Sequence, residues 1–458
     1  MSEQALNRKY QAYPEYKDSG VEWLGTIPAS WTVAALRHGM SDIKNGSTAT
    51  QVDQGDETVP ISRIETISTG KINTEKVGYV VLNNSICNYK LNIGDILFSH
   101  INSIPMVGNV AQYWSDTPLY HGMNLLRIQP SAGVDSRYLF WWLKSDFCRK
   151  SVSSLAKPAI NQASIAIEQI KGLPCINPDL SEQKNIAAFL DYETARIDSL
   201  IDKQQRLIEL LKEKRQAVIS HAVTKGLNPA APMKDSGVEW LGQVPEHWVV
   251  GPLKYRITSM DQGWSPQCEA RLAEEGEFGV LKVGAVNGGI FKPMEHKALP
   301  SELEPKLRYR VTKGVLLISR ANTRELVGSA AVVNDDYDNL LVCDKLYRLT
   351  LNQDTDAEFV ALVLGVPAYR EQIELSATGA SDSMQNIGQG TIRELIIAMP
   401  SKQEAKVIVE SVVLISEKYS RLIESACKQI VLLNERRTAL ISAAVTGKID
   451  LREWVKPT

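Results

Sequence analysis

Cysteine and histidine are scarce in this chain, with six of each in 458 residues. The cysteines, at 87, 148, 175, 268, 343 and 427, stand apart, with no CxxC pair and no histidine cluster. That argues against a zinc site of short ligand spacing and against a disulfide framework. No apolar run approaches the roughly 18 residues that cross a bilayer, and the opening MSEQALNRKYQ is too polar for a secretory signal. A cytoplasmic protein is expected. Charge of one sign is also lacking: 51 basic residues against 53 acidic ones leave a net charge of −2. A protein that holds nucleic acid alone usually carries a basic surplus. Any such affinity must therefore come from local clusters or be completed by a partner.

Catalytic signatures are missing as well: there is no GxSxG, no HExxH and no complete phosphate-binding loop. Pro178-Asp179 followed by Glu182-Gln183-Lys184 imitates a metal-nuclease pattern, but those carboxylates share one helix start instead of meeting across a sheet. Asn177-Pro178-Asp179-Leu180 lacks the second proline and the aromatic residue of an amino-methyltransferase loop. Gly388 and Gly390 have no third glycine, and Gly447-Lys448 has no following Ser or Thr. The chain reads as a binding protein.

What the chain does have is itself, twice. KDSGVEWLGTIPASW (17–31) recurs as KDSGVEWLGQVPEHW (234–248), and EKRQAVISHAVT (213–224) recurs as ERRTALISAAVT (435–446). The start and end of one unit thus return after about half the chain, the mark of an internal pseudo-two-fold repeat. In each half a mixed segment comes first, 16–178 and 233–400. It carries β-rich runs at Val77–Leu82, Asp95–Ser99, Val315–Ser319 and Leu340–Leu349, and amphipathic stretches at Ser136–Lys150 and Ala357–Leu375. That pattern predicts an α+β domain.

A long helix follows in each half. Asp179 and Ser401 can cap it, and Glu182 and Glu404 can close a capping box. Apolar residues then recur at 186, 190, 193, 197, 200, 204, 207, 211, 214 and 218, and 222 residues later at 408 through 440. The polar breaks are Glu193, Gln204, Lys214, Gln429 and Arg436. A sustained heptad predicts that two long helices form an antiparallel coiled coil separating two globular domains. Gly226 and Gly447 stand where helix-ending glycines belong. The repeated tryptophans 23, 31, 240 and 248 could stack on bases, but identical spacing in both copies favours packing.

Polar clusters suited to phosphates and base edges lie in both mixed segments. The first has Lys44, Ser47 and Thr48 around Gly46, then His100, Asn102 and Ser103, then His121 and Asn124. The second has Gln262, Trp264 and Ser265, then Arg320, Asn322 and Arg324 directly after a strand, then Lys345, and finally Ser383, Gln385 and Asn386. Arginine pairs with guanine, Asn and Gln pair with adenine, and hydroxyls take phosphate oxygens. Turn chemistry is the plainer account of any single one of them.

With these residues in view, the chain resembles the specificity subunit of type I restriction–modification enzymes. The resemblance rests on the doubled DSGVEWLG…P…W openings, on GDILFS and GVLLIS, on the helix starts Pro178…Gln183 and Pro400…Gln403, and on the paired helix endings. It implies a target recognition domain at 1–178, a spacer helix region at 179–228, a second recognition domain at 229–400 and a second spacer at 401–458. Each domain would read one half of a bipartite, asymmetric double-stranded DNA target. The helices would set the gap and dock two methyltransferase subunits carrying S-adenosylmethionine. Two restriction motor subunits, with ATP and magnesium, would join them. The chain itself would hold no cofactor, no metal and no catalytic residue. One departure is that after the glutamine the apolar residue comes one position later in the second helix start, which would tilt that helix locally. A scaffold without DNA binding and a drifted enzyme are the competing readings.

Overall fold

The computed structural model describes residues 10–160, 162–381 and 384–457. It divides into two compact units, 1–205 with 427–458, and 206–426. Each unit contains one mixed domain, a piece of the first long helix (Leu180–Lys225) and a piece of the second (Lys402–Val445).

The repeat in sequence is a repeat in topology. In the first unit Met40–Asn45, Leu125–Pro130, Ile96–Ser99 and Val110–Gln112 form an antiparallel sheet in that order. In the second, Ile257–Gln262, Leu346–Leu351, Leu316–Ser319 and Ala330–Val332 do the same. The near-continuous apolar runs of Ile96–Ser99 and Leu316–Ser319 follow from their place in the sheet, where both faces are covered. Beside these sheets the first domain has the pair Thr58–Ser62 and Val77–Val81, with single bridges joining Ile61 and Lys90 to Tyr120, where the second builds a full four-stranded sheet that includes Tyr337–Leu341.

Three expected elements are split. Ser136–Lys150 breaks at Ser145, whose side chain caps a new helix, Asp146–Leu155, by accepting from Cys148 N. Ala357–Leu375 breaks at Gly365, and Pro367 opens the next helix, where its missing N–H costs nothing. Leu340–Leu349 is two strands, Tyr337–Leu341 and Leu346–Leu351.

The doubled motif has a physical basis. Asp18 accepts from Gly20 N at 2.8 Å, and Asp235 from Gly237 N at 2.8 Å, closing the same Asx turn. Gly20 and Gly25 have φ of 74° and 66°, and Gly237 and Gly242 have 75° and 61°, values that favour glycine. The turn presents one buried tryptophan, Trp31 or Trp248. Trp31 Nε1 donates to Glu182 at 2.8 Å, at the start of the first long helix, and its ring lies against Gly447 at the end of the second. In the second unit Trp248 Nε1 donates to Glu404 at 3.1 Å, and its ring lies against Gly226. Each tryptophan therefore joins the start of one long helix to the end of the other.

This changes two expectations. Asp179 and Ser401 do cap, accepting from Glu182 N at 2.9 Å and Glu404 N at 3.2 Å. The glutamates do not close a capping box, because an indole N–H holds each carboxylate. The two helix starts also match at Glu182 and Glu404 and then at Ile186 and Ile408, so no local tilt is needed.

The heptad needs a partial correction. Positions 200, 207 and 214 are exposed, and 201, 208 and 215 are partly buried in their place. In the second helix 422 and 429 are exposed while 423 and 430 are partly buried. Alternate positions of the predicted series (197, 204, 211 and 218, then 419, 426, 433 and 440) are at least partly covered. The same one-residue shift in both copies shows that the duplication extends to the helix faces.

Candidate nucleic-acid interface

The two polar loops fold alike. Asn102 lies on Ile101–Asn102, which pairs with Gln162–Ser164, and that strand pairs with Lys157–Ala159. Asn322 lies on Ala321–Asn322, paired with Met384–Asn386, which pairs with Thr378–Ser381. Both asparagines accept from the next residue's amide: Ser103 N at 2.8 Å and Thr323 N at 2.9 Å. Each small sheet grows out of the end of a buried central strand, so a rigid base carries an exposed hairpin.

In the second unit this sheet holds Asn322, Gln385 and Asn386 of the predicted cluster. Asn322 stands opposite Gln385, and Ala321 opposite Asn386. Arg320 N donates to Lys345 O at 2.8 Å, and its guanidinium reaches Asp344 O at 3.4 Å. The Asn322 amide also donates to Asn287 at 3.1 Å. Arg324, two residues beyond Asn322, and Lys345 are both exposed. Ser383 lies outside the described residues. Trp264, half-buried, carries Lys306 Nζ 4.5 Å above its ring, with Gln262 and Ser265 exposed on either side.

In the first unit Lys44 and Thr48 are exposed, and Lys44 pairs with Asp42 at 2.8 Å. Gly46 between them passes so close to the Gly122 carbonyl that a Cβ has no room, as does Gly263 at Val342. Asn124 is half-buried at φ 70°, a left-handed conformation that asparagine tolerates.

Two expected contact residues serve the interior instead. Ser47 is buried, with its hydroxyl accepting from Ala49 N at 3.1 Å. His121 has no exposure, and its Nε2 donates to Leu125 O at 2.9 Å. His100 is nearly buried too, and among the described residues neither histidine Nδ1 has a partner. Burial first, then the Arg127 and His100 charges, pushes His121 down to about 4 against the pull of the Leu125 carbonyl. Between the ordinary 6.5 and about 4 the unfolded chain binds a proton that the folded one refuses. Stability from this group is therefore complete above 6.5 and falls as pH drops, by about 3 kcal/mol in full. Urea midpoints across pH 4–7 should show this slope, and His121→Gln should flatten it.

The hairpin of the first domain was not visible as a site in the sequence. Lys157, Gln162 and Ser164 are exposed on it, and Ile160 at its tip is 94% exposed. Its position, after the second domain helix and before the long helix, matches that of Thr378–Asn386 and was the available signal.

Residues 30–210 match the family model described as the type I restriction modification DNA specificity domain. A protein of Methanocaldococcus jannaschii named as the specificity subunit of type I restriction enzyme MjaX is 31% identical over 436 residues, covering 94% of this chain and 96% of its own. The EcoKI specificity subunit of Escherichia coli is 24% identical, covering 94% and 91%. The fold matches a chain solved in a study of type I R-M system assembly and conformational transition (TM-score 0.69, 16% identity, 92% of this chain and 99% of that one). It also matches the HsdS subunit of Thermoanaerobacter tengcongensis (TM-score 0.54, 15% identity, 92% and 98%). The chain belongs to the specificity subunits of type I restriction–modification enzymes, the non-catalytic subunits that recognise DNA.

Proposed function

We propose that the two domains, 1–178 and 229–400, each read one half of a bipartite, asymmetric DNA target. The observation that carries this is the matched pair of hairpin sheets holding Asn102 and Asn322 on equivalent strands, with different side chains around them. Equivalent frames with different surfaces are what two readers of unlike half-sites need. The contact residues are Lys44, Thr48, Asn102, Ser103 and Asn124 in the first domain. In the second they are Gln262, Trp264, Ser265, Arg320, Asn322, Arg324, Lys345, Gln385 and Asn386, and Ser383, outside the described residues, is proposed with them.

The regions 179–228 and 401–458 act as spacers whose helices form an antiparallel coiled coil. In the first unit Ile186, Leu190 and Ile197 share a core with Leu440, Ile441 and Ala444. In the second, Ala222 and Val223 share one with Ala405, Ile408 and Val412. Similar helical surfaces suit two copies of one partner, the methyltransferase subunit that binds S-adenosylmethionine. Restriction motor subunits using ATP and magnesium complete the cleaving complex. Among the described residues no helix is long and apolar enough to cross a membrane, and no group of acidic, histidine or cysteine side chains is arranged to hold a metal.

Domain exchange tests the reading. Replacing 16–178 with the corresponding domain of another family member should alter one half of the methylated motif, as read by methylome sequencing. A change in both halves would refute independent readers.

A further inference from the structure

A cleft of about 1140 Å3 in the first unit is lined by none of the residues assigned above to DNA. One wall is the helix Ser136–Lys144, with Phe140 and Trp141, and another is formed by the long helices, with Asp198 and Arg437. Most of its charges are matched. Arg137 pairs with Asp191 at 2.7 Å, and Lys71 and Arg437 both pair with Asp198 at 2.9 Å. Arg149 is turned to the Pro105 carbonyl at 3.0 Å, and Lys144 is the other exception. Its ammonium lies 5.1 Å from the Phe140 ring centre and 5.4 Å from that of Trp141. Its hydrogen bond, to Gly70 O, is 3.5 Å long, and among the described residues it pairs with no carboxylate. Burial, then the Arg437 charge, with smaller pushes from Arg137 and Lys71, lowers its pKa to about 8 against the pull of Asp198.

The second unit lacks this chemistry. Counted from the capping aspartates Asp135 and Asp356, Arg137 is replaced by Glu358, Trp141 by Leu362 and Lys144 by Gly365. At the long-helix offset of 222, Asp191 becomes Val413 and Asp198 becomes Ser420. Features needed for the fold or for a partner bound twice recur in both halves, as Trp31 and Trp248 do. A charged lining that the equivalent positions of the other unit do not repeat suits something bound once.

We propose that this cleft binds a phosphate-class oxyanion, held by Lys144 with Lys71 and Arg437 at its sides. The lining carries five cationic side chains against four carboxylates, so one positive charge is left over. A half-buried ammonium without a counter-ion is costly, and an incoming anion relieves that cost. Lysine supplies a point charge and arginine a planar fork, the pair of donors that phosphoryl oxygens accept. The assignment does not depend on which residues read DNA.

The test is amine acylation of the full chain, read at Lys144 by mass spectrometry, with exposed Lys150 as the internal control. Saturating inorganic phosphate, against chloride at equal ionic strength, should slow labelling of Lys144 about tenfold and leave Lys150 unchanged. Phosphate should also raise the melting temperature of the native chain but not that of Lys144→Met, whose stem still covers the rings. Protection by phosphate alone marks a small ligand. Protection only by a short duplex of unrelated sequence marks a backbone phosphate. Unchanged labelling with both probes overturns the proposal, as does a melting shift that survives in Lys144→Met. Should that variant misfold, labelling of the native chain decides alone.

Discussion

Trp31→Ala should cost the first unit about 3–5 kcal/mol, the usual range for emptying a large aromatic site. The indole has no exposure and packs edge-on against Tyr13 at 5.4 Å. Its N–H and the Tyr13 hydroxyl, at 2.8 and 2.6 Å, are the hydrogen bonds that hold the Glu182 carboxylate, itself 4% exposed. Burial raises the Glu182 pKa, and those two hydrogen bonds resist the rise. Removing the indole therefore leaves both a cavity and a buried acceptor short of a donor. Calorimetry should show the transition of the first unit falling by roughly 6–20 °C, at about 2–4 °C per kcal/mol for 150–250 residues. Trp31→Phe fills most of the volume and isolates the hydrogen bond, at about 1–3 kcal/mol. Trp248→Phe should cost less than Trp31→Phe, because the Glu404 side chain is 31% exposed and can turn to water and His247. Equal losses in the two units would show that the indole–carboxylate bond contributes little.

Much of this was legible in the chain because duplication acts as an internal control. Identical KDSGVEWLG segments could not be reading two different ligands, and their turn and packing roles follow from that. The long helices were legible because neither strands nor loops keep apolar residues three and four apart over some forty positions. The positions at 201 and 208 were missed because apolar residues stand on both sides of the seam. Leu200 and Leu207 satisfy a heptad as well as Ile201 and Ile208 do, and both are 43% exposed. Pattern alone cannot say which leucine faces a partner helix and which faces out. The role of Glu182 was missed for another reason. A capping box is a local rule, whereas its actual donor, Trp31, is 151 residues away. His121 and Ser47 were misplaced because sequence shows that a loop is polar but not which of its side chains turn inward. The cleft around Lys144 was invisible as a site, since its charges come from four separate segments with no shared spacing.

If the helices measure the DNA, changing their length should change the target. Inserting four residues after Gln204 adds about 6 Å of rise and roughly 40° beyond one full turn. The covered positions 197, 201, 204, 208 and 211 keep a seven-residue period, so the insertion acts as a stutter that loosens the seam locally without ending it. DNA advances about 3.4 Å per base pair, so the added rise corresponds to at most roughly two base pairs. Bending of helix or duplex absorbs part of it. The expected result is an unread gap longer by one or two bases, with both half-sites unchanged, in the methylome of cells carrying the variant. A seven-residue insertion keeps the heptad phase and adds about 10 Å, so it should lengthen the gap by up to about three bases with less loss of activity. An active four-residue variant that kept its original gap would show that something other than these helices sets the spacing. Fold loss is separated from ruler failure by melting the variant, because the Trp31 and Trp248 clamps lie at the helix ends, far in sequence from the insertion, and should hold both units folded.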